Sequence, residues 1–306
     1  MKKISETIVF FGSGPVAAKS LELLARDFTI EAVITKPRAT HHRGDVPVIT
    51  LAEKLGLKLL TASNKKELDE LFATNPVSSR VAILIDFGII VSQSVIDYFP
   101  LGIINSHFSL LPEWRGADPI TFAILSGQKE TGVSLMLLVE AMDEGPLLAQ
   151  DIMQLPNWIT TPELTDGLVA RSYALLVDVV PKYIAGEIKP YPQYDDIKEP
   201  TYSRKLTKDD GVIDWAKTAV QIEREVRAFL DWPKSRTAIA GKEVIVTAAH
   251  AADRKLKPGQ VVIDGKQLLV GTCEKALAID KLKPAGKNEM TSEAFIAGHK
   301  DLLDKS

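Results

Sequence analysis

Apolar runs and mixed stretches alternate regularly through the first half of this chain. Thr7-Ile8-Val9-Phe10-Phe11 and residues 30–35 are short, apolar and rich in β-branched side chains, which predicts buried strands; residues 16–27 between them carry helical periodicity. The same pattern places helices over residues 51–57, 65–73 and 92–99, and strands over 81–85 and 102–105. Strand and helix in turn is βαβ logic. It predicts an α/β fold with an open, largely parallel sheet and helices on both faces.

Further on, residues 120–126 should form a helix opened by Asp118-Pro119, where proline suits the first turn, and residues 133–139 and 147–154 read as strands. Thr161, followed by Pro162 and Glu163, starts a helix that runs to about Gly186. Pro190, Pro192 and Pro200, with two aspartates and little periodicity, mark residues 189–205 as linker-like. Residues 219–229 then form an amphipathic helix that offers Val220, Ile222, Val226 and Phe229 for packing. Strand-like runs follow at 236–240, 243–249, 259–263, 267–271 and 276–282, with hairpin turns at Gly241-Lys242 and Asp264-Gly265. Short strands at this spacing predict a small barrel. The expected division is a first domain over 1–188, a linker over 189–207 and a second, smaller domain over 208–306.

Composition fits that division. A chain of 306 residues exceeds the usual size of one domain, and 45% hydrophobic with 25% charged residues is ordinary for a globular protein. The single cysteine, Cys273, lies in a strand context and rules out an internal disulfide; no cysteine spacing points to structural zinc. Residues 1–6 carry charges without the apolar core of a signal peptide, and nowhere do about 18 apolar residues run together, so a cytoplasmic protein with no membrane span is expected. The net charge of -3 supplies no electrostatic footprint for nucleic acid, although the part after residue 188 is mildly basic.

The chemistry concentrates in two places, Asn105-Ser106-His107 and Met142-Asp143-Glu144-Gly145. Asn105 and His107 should sit at or just past the end of a buried strand, pointing the same way because they are i and i+2 on extended chain. That is the carboxyl edge of a parallel sheet, where such sheets bind ligands. Asp143 falls on the loop between strands 133–139 and 147–154. An amide, an imidazole and a carboxylate in one pocket suit acyl transfer without a covalent intermediate. Attack by an amine on a carbonyl needs donors for the oxyanion and a base for the proton. Taken singly, Asn105 can cap a turn, His107 can pack in a loop and Asp143 can open a helix.

Asn105-x-His107 with Ser109-Leu110-Leu111-Pro112 and Arg115-Gly116-Ala117, then Glu130-Thr131-Gly132-Val133 and Asp143-x-Gly145, resembles the folate-dependent formyltransferases, most closely those acting on methionyl-tRNA. Thr201-Tyr202-Ser203, Asp214-Trp215, Ile222-Glu223-Arg224, Trp232-Pro233 and Lys283-Pro284-Ala285-Gly286-Lys287 with Met290, Phe295 and Gly298 carry the likeness into the second half. It covers nearly the whole chain. The resemblance implies a Rossmann-like catalytic domain followed by an OB-like β-barrel that helps hold tRNA. Asn105, His107 and Asp143 would be the catalytic trio, 10-formyltetrahydrofolate the formyl donor, and the α-amine of methionyl initiator tRNA the acceptor, in a monomer that needs no metal. The folate would lie against Phe87, Gly88, Ile89 and Ile90, against Val139, Glu140 and Ala141, and against Ser109, Leu110, Leu111 and Pro112. Those relatives commonly have Tyr-Gly where this chain has Phe87-Gly88. The tRNA would meet Arg38, His42 and Arg43, with Arg43 the leading contact. That loop is several residues shorter and less lysine-rich than in the relatives, and it adds Asp45. The alternatives sharing the first domain are transfer to an amino-sugar nucleotide and hydrolysis of the formyl donor.

Other motifs compete for a role. Gly12-Ser13-Gly14-Pro15-Val16-Ala17 has the form of a dinucleotide fingerprint, yet the next strand ends Thr35-Lys36-Pro37-Arg38 with no acidic residue to hold a ribose. Adjacent His41 and His42 point apart and lack a third ligand nearby, which argues against a metal. Arg115 either shapes the loop behind the trio together with Gly116 or anchors it by a surface ion pair. Trp114 is expected to pack, and Trp215 and Trp232 to seal the second core.

Overall fold

The computed structural model describes residues 4, 6–38, 46–193 and 199–303. In chain order the elements are β1 (Thr7–Phe11), α1 (Pro15–Asp27), β2 (Thr29–Thr35), α2 (Pro47–Lys54), β3 (Leu59–Thr61), α3 (Lys65–Thr74), β4 (Ala82–Leu84), α4 (Gln93–Asp97) and β5 (Ile103–His107). They continue through β6 (Arg115–Gly116), α5 (Pro119–Ser126), β7 (Glu130–Leu137), β8 (Leu147–Gln154), α6 (Thr161–Ile184) and β9 (Tyr202–Ser203). After these come α7 (Ala219–Ala228), β10 (Ser235–Ile239), β11 (Lys242–Ala252), β12 (Val261–Asp264), β13 (Gln267–Gly271), β14 (Ala276–Pro284), β15 (Met290–Thr291) and α8 (Ser292–Leu303). Two compact units result: one holds Met1–Pro119, Glu130–Gln154 and Thr165–Ser203, and the other holds Ile120–Lys129, Leu155–Leu164 and Arg204–Ser306.

The first unit is a Rossmann-like sheet of seven strands in the order β3-β2-β1-β4-β5-β7-β8. Strands β1 to β5 run parallel, and β7 and β8 add an antiparallel edge. β1 is buried on both faces, which its uninterrupted Ile8-Val9-Phe10-Phe11 allows. Phe11 stands in an aromatic cluster: its ring centroid lies 5.9 Å from that of Phe72, 5.4 Å from Phe87 and 6.1 Å from Phe99. Local signals start the helices. Pro15 opens α1, Asn64 caps α3 by accepting from the Glu67 N–H, and the Ser92 hydroxyl caps α4 by accepting from the Val95 N–H. β1 pairs with β2 on one side and β4 on the other, so the strand order reverses between β1 and β4, the place where such sheets open a crevice at their carboxyl ends.

The second unit carries an antiparallel sheet in the order β10-β11-β14-β13-β12, with β15 paired to β14. Its core joins Ile222 and Val226 of α7 to Val244, Val246, Leu268, Leu277, Leu282 and Phe295. A capping box between Thr218 and Gln221 fixes the start of α7. Among the described residues no helix is long and apolar enough to cross a membrane.

Several details depart from the pattern reading. β3, β15 and α8 are additional elements, and α2 starts at Pro47 rather than near Leu51. Val220 is 44% exposed and does not pack in the core, because α7 turns its Ile222 and Val226 face to the sheet. Trp232 is 54% exposed and seals no core, whereas Trp215 packs against it. Cys273 is exposed on the bend between β13 and β14 rather than in a strand. The linker-like stretch also differs: its described residues up to Ser203 group with the first unit, with Tyr191 bridged to Leu147 and β9 paired to β6.

Candidate active site

β5 runs on through His107 because β7 pairs along it, with His107 opposite Ser134. Asn105 and His107 therefore lie on one face of the strand, and Ser106 turns the other way to meet the Ser172 hydroxyl at 2.7 Å. Asp143 comes from the loop between β7 and β8. Asn105 Nδ2 donates to Asp143 Oδ1 at 3.3 Å, and His107 Nδ1 stands 3.8 Å from the same oxygen. Asp143 Oδ2 accepts from the Gly116 N–H at 2.8 Å. The structure thus brings together the amide, imidazole and carboxylate singled out in the sequence.

His107 Nε2 lies 2.9 Å from the Trp114 carbonyl oxygen. A carbonyl only accepts, so Nε2 keeps its proton and Nδ1 is the nitrogen turned to Asp143 and free to take one up. Trp114 places that carbonyl by adopting a left-handed φ of 55°, with its own N–H donated to Thr201 Oγ1 at 2.9 Å. Such a conformation costs an L-residue about 1–2 kcal/mol. Asp143 (φ 54°) and Asp86 (φ 49°) are left-handed as well, a conformation that aspartate tolerates better than most L-residues. Gly116 has φ 111°, and a Cβ there would collide with the Ser203 carbonyl; only glycine brings this N–H to Asp143.

Arg115 is 1% exposed and is no surface anchor: Nη1 meets Glu144 Oε1 at 2.9 Å, and Nη2 donates to Gln193 Oε1 at 2.9 Å. Gln193, the Trp114 carbonyl and the Gly116 N–H escaped the sequence reading. Gln193 carries no periodic signal at all, and the other two contributions are backbone atoms.

The three segments resembling folate contacts differ in exposure. Ile90 and Met142 are 69% and 68% exposed, and Gly88, Glu140 and Ala141 are open to solvent, while Val139 is half-buried. Phe87 is buried edge-on against Phe11, and Ile89 packs partly into the same core. Ser109, Leu110, Leu111 and Pro112 are buried. The Ser109 carbonyl accepts from Ser134 Oγ at 2.6 Å, the Leu111 N–H donates to Ser134 Oγ at 2.9 Å, and the Leu111 carbonyl accepts from Gln150 Nε2 at 2.9 Å. Arg38 is exposed just past β2, and His42 and Arg43, with His41 and Asp45, lie outside the described residues.

Asp86 closes the dinucleotide question. Its carbonyl accepts from the Ser13 N–H at 2.9 Å, and its carboxylate packs so tightly on Gly14 that a Cβ there would collide with it. A pyrophosphate at the start of α1 would meet that negative charge instead of open N–H groups. The pKa of Asp86 is pushed up to about 6, by burial of the carboxylate first and by the Asp118 charge second, against the opposing pull of Lys36. The folded state thus holds a proton that the unfolded chain has released, and the charged form destabilises the fold as pH rises from about 4 to about 6. Asp86→Asn, which tolerates the same φ, should stabilise the protein above pH 6 by about 1 kcal/mol, a modest gain because one flank of the residue is solvent-screened. The gain should vanish below about pH 4. Melting curves across this range check it, and a gain independent of pH would refute it.

Residues 8–180 match the family model described as formyl transferase, and residues 205–300 match its formyl transferase, C-terminal domain. A methionyl-tRNA formyltransferase of Roseiflexus castenholzii is 35% identical over 304 residues, covering 96% of each chain. One from another Roseiflexus species is 37% identical over 303 residues, covering 95% of this chain and 92% of its own. Among solved structures, the N-formyltransferase from Helicobacter canadensis, in complex with folinic acid and dTDP-3-aminofucose, superposes with a TM-score of 0.67 at 18% identity, over 91% of this chain and 99% of its own.

Proposed function

Because this chain belongs to the formyl transferase family and carries both of its domains, we propose that it moves the formyl group of 10-formyltetrahydrofolate onto the α-amine of methionyl initiator tRNA. The observation that carries the reading is the meeting of Asn105, His107 and Asp143 at one carboxylate oxygen, in a chain matched nearly end to end by methionyl-tRNA formyltransferases. Exposed apolar Ile90 and Met142, and the exposed Gly88, suit a flat pterin. Phe87, Gly88, Ile89 and Ile90, Val139, Glu140 and Ala141, and Ser109, Leu110, Leu111 and Pro112 would hold the folate, which supplies the formyl group. Arg38, His42 and Arg43 would meet the acceptor end of the tRNA.

The amine nitrogen bonds to the formyl carbon while charge builds on the carbonyl oxygen; the amine proton passes to His107 Nδ1, and collapse of the tetrahedral carbon breaks its bond to the folate nitrogen, which leaves with a proton. Asn105 Nδ2 has a second N–H beyond the one given to Asp143, and this donor serves that oxygen. His107 Nδ1, once protonated, supplies the other. Asp143 Oδ2 is occupied by Gly116, which leaves Oδ1 to exchange a proton with His107, directly or through a water in the 3.8 Å gap.

The test is formylation of methionyl initiator tRNA by the purified protein with 10-formyltetrahydrofolate, against uncharged tRNA, methionyl elongator tRNA and an amino-sugar nucleotide. Rapid product on the initiator species is expected. Transfer to the sugar nucleotide, or formate release with the tRNA unmodified, would overturn the assignment.

A further inference from the structure

Gln193 is 8% exposed, although it lies in a stretch whose sequence predicts a linker. Its Nε2 donates to the carbonyl oxygens of Asp143 and Gly145, each at 2.7 Å, and its Oε1 accepts from Arg115 Nη2 at 2.9 Å. Arg115 in turn pairs with Glu144 at 2.9 Å. One amide and one guanidinium therefore hold three successive residues, 143 to 145. Two residues upstream, Tyr191 exchanges backbone hydrogen bonds with Leu147 at 2.7 and 2.9 Å, which fixes where the Gln193 side chain enters.

We propose that Gln193 is a positioning residue for the transfer, an inference that rests on the formyl-transfer reading above. Asp143 sits on a largely exposed loop in a left-handed conformation, which aspartate tolerates better than most residues but adopts less readily than negative φ. Without an outside hold, the backbone of such a loop relaxes toward negative φ and swings the carboxylate away from Asn105 and His107. The hold requires two donors and one acceptor on one planar group, which a carboxamide provides. A carboxylate offers acceptors only, and a thioether offers almost nothing. Gln193 touches none of the reacting groups and acts through the Asp143 backbone.

The test compares Gln193→Met and Gln193→Glu with the unmodified protein in steady-state formyl transfer, with melting curves and hydrogen exchange on both. A misplacement near 1 Å costs roughly 10²-fold. The expected result is a fall in kcat of that order in both variants, with KM for methionyl-tRNA within about threefold and faster exchange confined to the loop between β7 and β8. Gln193→Glu should recover part of its kcat, relative to the unmodified protein, only as pH falls from about 6 toward the ordinary glutamate range near 4.3, because a protonated carboxyl regains one donor; Gln193→Met should not. If Gln193→Met fails to fold, Gln193→Asn, one methylene short of spanning both carbonyls, takes its place with the same expected fall. A folded variant with kcat within twofold of the unmodified protein, or a loss confined to KM, overturns the proposal while leaving formyl transfer intact. An unmodified protein that formylates no acceptor overturns the formyl-transfer reading, and this proposal with it.

Discussion

Asp143→Asn should lower kcat for formyl transfer by about 10³-fold, the size expected when a positioned acid–base group is removed. The replacement is isosteric, and its carbonyl oxygen can still accept from the Gly116 N–H, which meets Asp143 Oδ2 at 2.8 Å, so the loop keeps its place. What changes is the other end of the group. Oδ1, now shared by Asn105 Nδ2 and facing His107 Nδ1, becomes an amide nitrogen. An amide cannot take a proton from His107, and its own N–H would donate to Nδ1 and mask the nitrogen that has to cycle. Single-turnover formylation with a melting curve on the same preparation separates chemistry from folding. A loss below tenfold in a folded variant would mean that the carboxylate only ties the loop.

Phe11→Ala should carry a large stability cost, about 3–5 kcal/mol. Phe11 has no solvent exposure and meets three other rings: Phe72 stacked at 13°, Phe87 edge-on at 84° and Phe99 edge-on at 76°. Alanine would leave a cavity that three rigid neighbours cannot collapse to fill. Since a whole domain retains only about 5–15 kcal/mol, the substitution should remove a large share of it. Urea titration followed by a probe in the first unit measures the cost, and a value under about 1.5 kcal/mol would show that the aromatic cluster repacks. Phe87 leans on Phe11 and precedes the exposed loop at Gly88, so folate affinity should weaken in parallel.

Most of the parallel sheet was legible because its strands are buried on both faces and read as unbroken apolar runs. β3 was not: three residues, Leu59-Leu60-Thr61, are too few to display a period, and their pairing with β2 is a long-range event. β15 and α8 escaped for a related reason, since Met290-Thr291 gains strand character only by lying against Leu282 and Lys281. At the site, Asn105 and His107 were placed by the period-two rule, which needs no tertiary information. Asp143 was placed on its loop by the two strands around it. The Gly116 N–H, the Trp114 carbonyl and the Gln193 amide were beyond reach. Two of them act through backbone atoms common to almost any residue, and the third acts across 48 to 78 residues of chain.

That last contact, with the pairing of β9 to β6, bears on how the protein is itself made. Asn105, His107 and Asp143 leave the ribosome well before Gln193, which holds the Asp143 loop, and Ser203, which pairs with Gly116. At about 5–20 residues per second, a growing chain holds the complete trio for several seconds before its setting arrives. On the positioning role inferred for Gln193, full transfer competence is expected only once that residue has joined the loop it holds.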